Sequence, residues 1–70
     1  MTYWLGAEPT HCEISGARIE AVFYDAKMPS ESWWAIMVPA TFKVRGCRTG
    51  AGHGQRYEKQ EDGRWLKTAG

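Results

Sequence analysis

The chain has 70 residues and nearly balanced charge, with nine Lys and Arg residues against eight Asp and Glu residues. This length predicts one small domain, 1–70, because domains commonly take roughly 100–200 residues. No apolar run approaches the roughly 20 residues of a membrane-spanning helix, and no basic and apolar leader opens the chain. The 13% aromatic content argues against disorder, and the small size argues against an enzyme with a deep pocket.

The N-terminal half begins with a segment that has two interpretations. Residues 1–10 form either an extra edge strand, in which Tyr3 and Trp4 pack on the sheet, or an arm. Residues 18–24 are predicted as a strand, because Ile19 and Phe23 fall on one face of an alternating pattern. The loop residues that follow, 25–32, are rich in Asp, Pro and Ser.

The middle of the chain is predicted to form a second strand and a short helix. Residues 33–38 are all apolar, and their length, their aromatic residues and the following Pro39 favour a strand. Trp33 and Trp34 are adjacent, so in a strand they point to opposite faces, and one leaves the main core unless both faces are covered. Residues 40–46 are compatible with one helical turn that ends at Gly46.

The C-terminus carries a β-hairpin pattern. Residues 55–60 and 64–67 flank a turn in which Gly63 adopts a positive φ without steric cost. The predicted fold class is therefore mostly β, a small antiparallel sheet with a C-terminal β-hairpin and little helix. Its predicted core consists of Phe23, Trp34, Ile36 and Trp65.

Charge is unevenly distributed along the chain. Residues 1–40 hold five acidic and two basic residues, whereas 41–70 hold seven basic and three acidic ones. The concentration of basic residues predicts a binding surface for an acidic partner, because arginine makes bidentate contacts with carboxylates and phosphates. In the alternative interpretation these arginines pair with Glu13, Glu20 or Asp25. The candidate binding residues are Lys43, Arg45, Arg48, His53, Arg56 and Trp33.

The basic segment is also rich in glycine, from Gly46 to Gly54. Such a loop has two interpretations, a phosphate cradle or a tight connection across a small sheet. The spacing matches neither a P-loop nor a dinucleotide fingerprint, which favours the tight connection. A pairing of Cys47 with His53 does not by itself indicate catalysis, since a reactive thiol needs a local environment that the sequence does not reveal.

The two cysteines, Cys12 and Cys47, are interpreted as reduced thiols rather than as a disulfide, because bridged small domains usually carry more cysteines. A Cys-x2-Cys knuckle is incomplete at Cys12, where serine occupies the second position. A rearranged zinc site would need Cys47 and His53 with His11 or Ser15. The sequence predicts no cofactor and no metal.

The order and spacing of many residues over 12–70 resemble a family of small zinc-ribbon proteins of tailed phages and prophages. The matching residues are Cys12, Gly16, Ile19, Phe23, Asp25, Trp34, Ala35, Met37, Gly50, Gly52, Gly54, Gln55, Tyr57, Gly63, Trp65 and Lys67. The resemblance implies a degenerate zinc ribbon, because three of the four ligand positions are Ser15, Val38 and Thr41. A lone cysteine does not hold zinc.

The resemblance and the composition together predict a non-enzymatic phage-type accessory protein in the host cytoplasm. It would bind a host protein or a ribonucleoprotein complex, as an anti-CRISPR-like inhibitor of host defence or a regulator of host transcription does. One alternative is direct nucleic-acid binding through the basic Gly-rich loop. Another is a virion structural or capsid decoration protein, in which a homo-oligomer replaces the zinc. None of these functions involves a membrane.

Overall fold

A computed structural model describes the whole chain, Met1–Gly70, and contains four strands and one helix. The strands are β1 (Val22–Lys27), β2 (Trp34–Met37), β3 (Gly54–Lys59) and β4 (Trp65–Ala69), and α1 (Pro39–Val44) follows β2. They form one antiparallel sheet in the order β2-β1-β3-β4. The predicted mostly β fold class is confirmed, including the C-terminal hairpin formed by β3 and β4. No helix is long and apolar enough to cross a membrane.

The first strand differs from its predicted boundaries. Strand β1 begins at Val22 and continues to Lys27, whereas the sequence pattern placed it at 18–24. The backbone of residues 18 and 19 pairs with the N-terminal segment instead, since the Ile19 N–H donates to the Thr10 carbonyl at 2.8 Å. The strand extends because its last residues pair with β2, with Lys27 opposite Trp34.

One face of the sheet, the aromatic face, is organised around Phe23. This side chain is fully buried, and its ring centroid lies 4.9 Å from that of Trp65, 5.1 Å from that of Tyr57 and 5.3 Å from that of Trp4. Ile19 is buried in the same cluster, and Ile36 packs against it half-buried. The predicted core positions of Phe23 and Trp65 are therefore confirmed.

Trp34 was wrongly assigned to the core, because its side chain is 42% exposed. It lies opposite Lys27 at the outer end of β2, beyond the aromatic cluster. The fully buried side chains of β2 are those of Ala35 and Met37, which point to the other face. Of the four predicted core residues, the aromatic face therefore buries Phe23 and Trp65 and partly buries Ile36, and it leaves Trp34 exposed.

The second face, the helix face, explains why the β2 segment is apolar throughout. Ala35 and Met37 form a buried cluster with Cys12, Ala26 and Met28. Helix α1 covers this cluster, and its Phe42 ring stacks on Tyr24 with the two centroids 3.7 Å apart. Although β2 is at the edge of the sheet, Ala35 and Met37 pack on this face and Ile36 packs against the aromatic cluster, so both of its faces carry apolar residues.

The N-terminal segment, residues 1–21, covers both outer edges of the sheet. At β4 the Trp4 N–H donates to the Trp65 carbonyl at 2.9 Å, and the Lys67 N–H donates to the Thr2 carbonyl at 2.8 Å. At β2 the Glu13 N–H donates to the Ile36 carbonyl, and the Glu13 carboxylate accepts from the Ile36 N–H at 2.7 Å. The start of the chain is thus an edge bridge rather than an arm, and these contacts protect the edges from pairing with another strand.

Helix α1 begins at Pro39, one residue before the predicted 40–46, and ends at Val44, ahead of the predicted stop at Gly46. Pro39 stands in the first turn, where its missing N–H costs no hydrogen bond. Gly46 follows the last turn with a φ of +71°, and the Cys47 N–H donates to the Phe42 carbonyl at 3.1 Å. A left-handed glycine at this position satisfies the free carbonyls of the last turn and ends the helix.

Candidate functional site

The chain has three ion pairs, and none of them involves the cations between residues 27 and 48. The pairs are Arg56–Glu58, Lys59–Glu8 and Arg64–Asp62. Between residues 27 and 56 there is a single acidic residue, Glu31. The predicted pairing of the basic segment with Glu13, Glu20 or Asp25 is absent. The cations without a carboxylate partner in this part of the chain are Lys27, Lys43, Arg45 and Arg48.

Two of these cations line one cleft at the end of the sheet. Lys27, Arg48 and His53 lie around a cleft of about 370 Å³, whose walls also include Met28 and Pro29. The Arg48 Nη2 and His53 Nε2 atoms are 3.4 Å apart. The Lys27 N–H donates to the His53 carbonyl at 2.9 Å, so the end of β1 and the start of β3 hold the cleft together.

Two exposed tryptophans stand beside this cleft. The side chain of Trp33 is 46% exposed and that of Trp34 is 42% exposed. Trp34 pairs with Lys27, and the Trp33 carbonyl accepts a hydrogen bond from the Met28 N–H at 3.1 Å. We call the surface formed by Lys27, Trp33, Trp34, Arg48 and His53 the basic end.

The glycine-rich loop reaches the basic end because Gly54 lacks a side chain. A Cβ atom on Gly54 would lie 2.6 Å from the Arg48 carbonyl oxygen and 2.9 Å from the Ala26 Cβ atom. Both distances are shorter than a Cβ contact allows, so only glycine lets the loop cross this close to β1. The interpretation of the glycines as a tight connection is therefore confirmed at Gly54.

The remaining predicted site residues lie elsewhere. Arg56 is in β3, half-buried, and its Nη1 atom donates to Glu58 at 2.9 Å and to Thr68 at 2.8 Å. The hydrogen bond that Arg56 donates to the Glu58 carboxylate raises the pKa of the guanidinium. Arg56 is therefore removed from the candidate site, because its charge is already matched. Lys43 and Arg45 are exposed on α1 and at its C-terminal end, outside the cleft.

The sequence patterns missed Lys27 and Trp34 as site residues. Lys27 was assigned to a loop and Trp34 to the core, whereas pairing of β1 with β2 places them side by side. A local signal existed for Trp34, because the two adjacent tryptophans were expected on opposite faces. No local signal existed for Lys27, since its position depends on its pairing with Trp34 and on its backbone hydrogen bond to His53.

The positions that the resemblance assigns to zinc ligands meet around Cys12, in the buried cluster of the helix face. The Ser15 N–H donates to the Cys12 Sγ atom at 3.4 Å, and the Thr41 Oγ1 atom lies 3.5 Å from that sulfur. Burial raises the pKa of the Cys12 thiol, but hydrogen bonds from Ser15, Thr41 and the Val38 backbone outweigh it and lower the pKa to about 6. Residues at these four positions therefore form one compact cluster around the Cys12 sulfur, which we call the Cys12 cluster.

The alternative zinc ligands are not brought together. The Cys47 Sγ atom lies 3.9 Å from the Met37 Sδ atom, and His53 faces Arg48 at the basic end. His11 contacts Thr10, and both cysteines are free thiols. No group of three or more His, Cys, Asp or Glu side chains converges on a position that can hold a metal ion.

Comparisons of the chain with family models, with curated proteins and with solved structures found no match. The functional interpretation therefore depends on the geometry of the basic end and of the Cys12 cluster. The resemblance to phage zinc-ribbon proteins stays a prediction.

The short distances in the Cys12 cluster predict that replacing its three other residues with cysteine creates a zinc site. Sulfur atoms in a tetrahedral site with Zn–S bonds of about 2.3 Å lie about 3.8 Å apart, close to the 3.5 Å between Cys12 Sγ and Thr41 Oγ1. We expect the unchanged chain to hold no zinc and the S15C/V38C/T41C variant to hold one zinc per chain by elemental analysis. Adding C12A to that variant is the control and should weaken binding. A folded triple variant without zinc would contradict the assignment of the cluster.

The Cys12 thiol also predicts a pH dependence of stability. Its pKa is about 6 in the folded chain and about 8.5 in an unfolded one. Because the folded value is lower, this group stabilises the fold fully above pH ~8.5, and the stabilisation is lost as pH falls towards ~6. Urea unfolding at these two pH values should show a smaller pH dependence in Cys12→Ser than in the unchanged chain.

Cys47→Ser is the matched control for this measurement. Burial raises the pKa of the Cys47 thiol, so its effect on the pH dependence has the opposite sign. An unchanged pH dependence in Cys12→Ser would show that the folded thiol ionises normally.

Proposed function

We propose that this chain is a small non-enzymatic binding protein of the phage accessory type, and that its basic end docks onto an acidic surface of a host protein or ribonucleoprotein complex. The observation that carries the proposal is the set of cations without carboxylate partners beside two exposed tryptophans. Inhibition of a host defence complex and regulation of host transcription are both activities that this mode of binding serves.

The electrostatic support comes from Lys27 and Arg48. They line one cleft without a carboxylate among its lining residues, so their mutual repulsion is relieved when an anionic group enters. An arginine in such a position makes two parallel hydrogen bonds to a carboxylate or a phosphate. Clustered charges of one sign also increase the association rate with a partner of the opposite sign.

The exposed side chains of Trp33 and Trp34 also support a binding surface. Tryptophan and arginine are the residues most enriched among the energetic centres of protein interfaces. Exposure of 46% and 42% leaves a large apolar area for a partner to cover. Because Glu13 and the first residues cover the sheet edges, recognition by side chains fits this protein better than addition of a strand.

The experiment is affinity capture from host lysate with three forms of the tagged protein. The first is the unchanged chain, the second carries K27S/R48S, and the third carries R18S/K67S. The control variant loses the same charge at cations that also lack ion pairs but lie outside the cleft. We expect K27S/R48S to lose the captured partner while R18S/K67S retains it, with both variants folded by circular dichroism.

Capture is repeated after nuclease treatment of the lysate. A partner that is still captured is bound through its protein surface, whereas a partner that is lost is bound through its nucleic acid. Equal capture by all three forms would contradict the proposal, because binding would then not depend on the basic end. Recovery of the protein mainly with assembled virus particles, unaffected by K27S/R48S, would also contradict it and would favour a structural role in the virion.

A further inference from the structure

We propose that the basic end binds a single strand of nucleic acid, with one phosphate in the cleft of Lys27, Arg48 and His53 and a base against Trp33 or Trp34. This inference rests on the proposed function and names the part of the partner that the basic end contacts. It would make the strand of a ribonucleoprotein complex, rather than its protein, the ligand of this site.

The cleft has the chemistry of a phosphate site. Two cations and an imidazole line it, no carboxylate does, and its volume of about 370 Å³ exceeds what one phosphate group requires. The Arg48 carbonyl lies over Gly54, so the loop that carries the guanidinium is held against the sheet. A positioned guanidinium beside a lysine binds a phosphate with less loss of side-chain freedom than two mobile surface cations would.

The tryptophans differ from every other aromatic residue in the chain. Trp4, Phe23, Tyr57 and Trp65 pack on one another, and Tyr24 stacks on Phe42. Tyr3 lies under the Arg64 guanidinium, 4.1 Å from it. Trp33 and Trp34 alone have neither an aromatic nor a cationic partner, and both are more than two-fifths exposed. Aromatic faces of this kind beside a cationic groove are the platforms on which single strands stack their bases.

The fold favours a single strand over a duplex. Base edges in a duplex are read by a helix or a two-stranded ribbon inserted into the major groove. The only helix here, α1, has six residues and lies against the sheet, and the sheet edges are covered by the N-terminal segment. In a single strand the faces of the bases are free, so the exposed tryptophans can reach them.

The experiment titrates the full chain with oligothymidylate and follows tryptophan fluorescence. Quenching is expected on binding, because Trp33 and Trp34 are the exposed tryptophans. With one phosphate neutralised in the cleft, the logarithm of the association constant should fall with the logarithm of salt concentration with a slope of about −0.7. R48S should make this slope shallower, whereas the control K67S should leave it unchanged.

Substitution of the tryptophans separates stacking from charge. W33A or W34A should weaken oligothymidylate binding by about fivefold or more, with the salt slope unchanged. Circular dichroism checks that each variant is folded.

Three results would overturn the inference. One is the absence of oligothymidylate binding at low ionic strength, and another is equally tight binding of a duplex. The third is equally tight binding of polyglutamate that is lost in R48S, which would identify an acidic protein as the ligand. That third result would leave the proposed function intact. Oligothymidylate binding together with capture that is unchanged in K27S/R48S would refute the proposed function alone.

Discussion

The packing of Phe23 against three aromatic rings is the interaction on which the rest of this structure depends. A chain of 70 residues has little apolar surface to bury, and this one has no disulfide to compensate. Phe23 joins β1 to β3 through Tyr57, to β4 through Trp65 and to the N-terminal segment through Trp4. The Trp65 indole N–H also donates to the Glu8 carboxylate at 3.1 Å, so the cluster fixes the segment that covers the sheet edges.

Two separate sites follow from this arrangement. On the helix face, β2 and α1 bring Thr41 and Val38 to Cys12, and hydrogen bonds from its neighbours surround that sulfur. At the far end of the sheet, the pairing of β1 with β2 and β3 places Lys27 beside Trp34 and His53. We interpret the first site as structural and the second as the binding surface.

Glycine and proline residues predicted the turns and helix ends that need their particular backbone conformations. Gly63 has the positive φ that the hairpin turn requires, and Pro39 and Gly46 bound the helix. Alternation of apolar residues failed in β2, because Ile36 packs on one face and Ala35 and Met37 pack on the other, and the pattern does not tell Trp34 from Ala35. The position of Lys27 at the cleft depends on contacts with β2 and with His53, which a local pattern does not contain. The Arg56–Glu58 ion pair, in contrast, joins two residues on one face of β3 and lies within the reach of a local pattern.

The most direct test of this account compares the free energy of unfolding of W65A with that of W34A by urea denaturation. Both variants remove the same side chain, but Trp65 is 4% exposed in the aromatic cluster and Trp34 is 42% exposed at the basic end. The account predicts that W65A loses about 3–5 kcal/mol, enough to unfold most of a small domain, while W34A loses less than about 1 kcal/mol. Equal losses in the two variants, or a stable W65A, would contradict it.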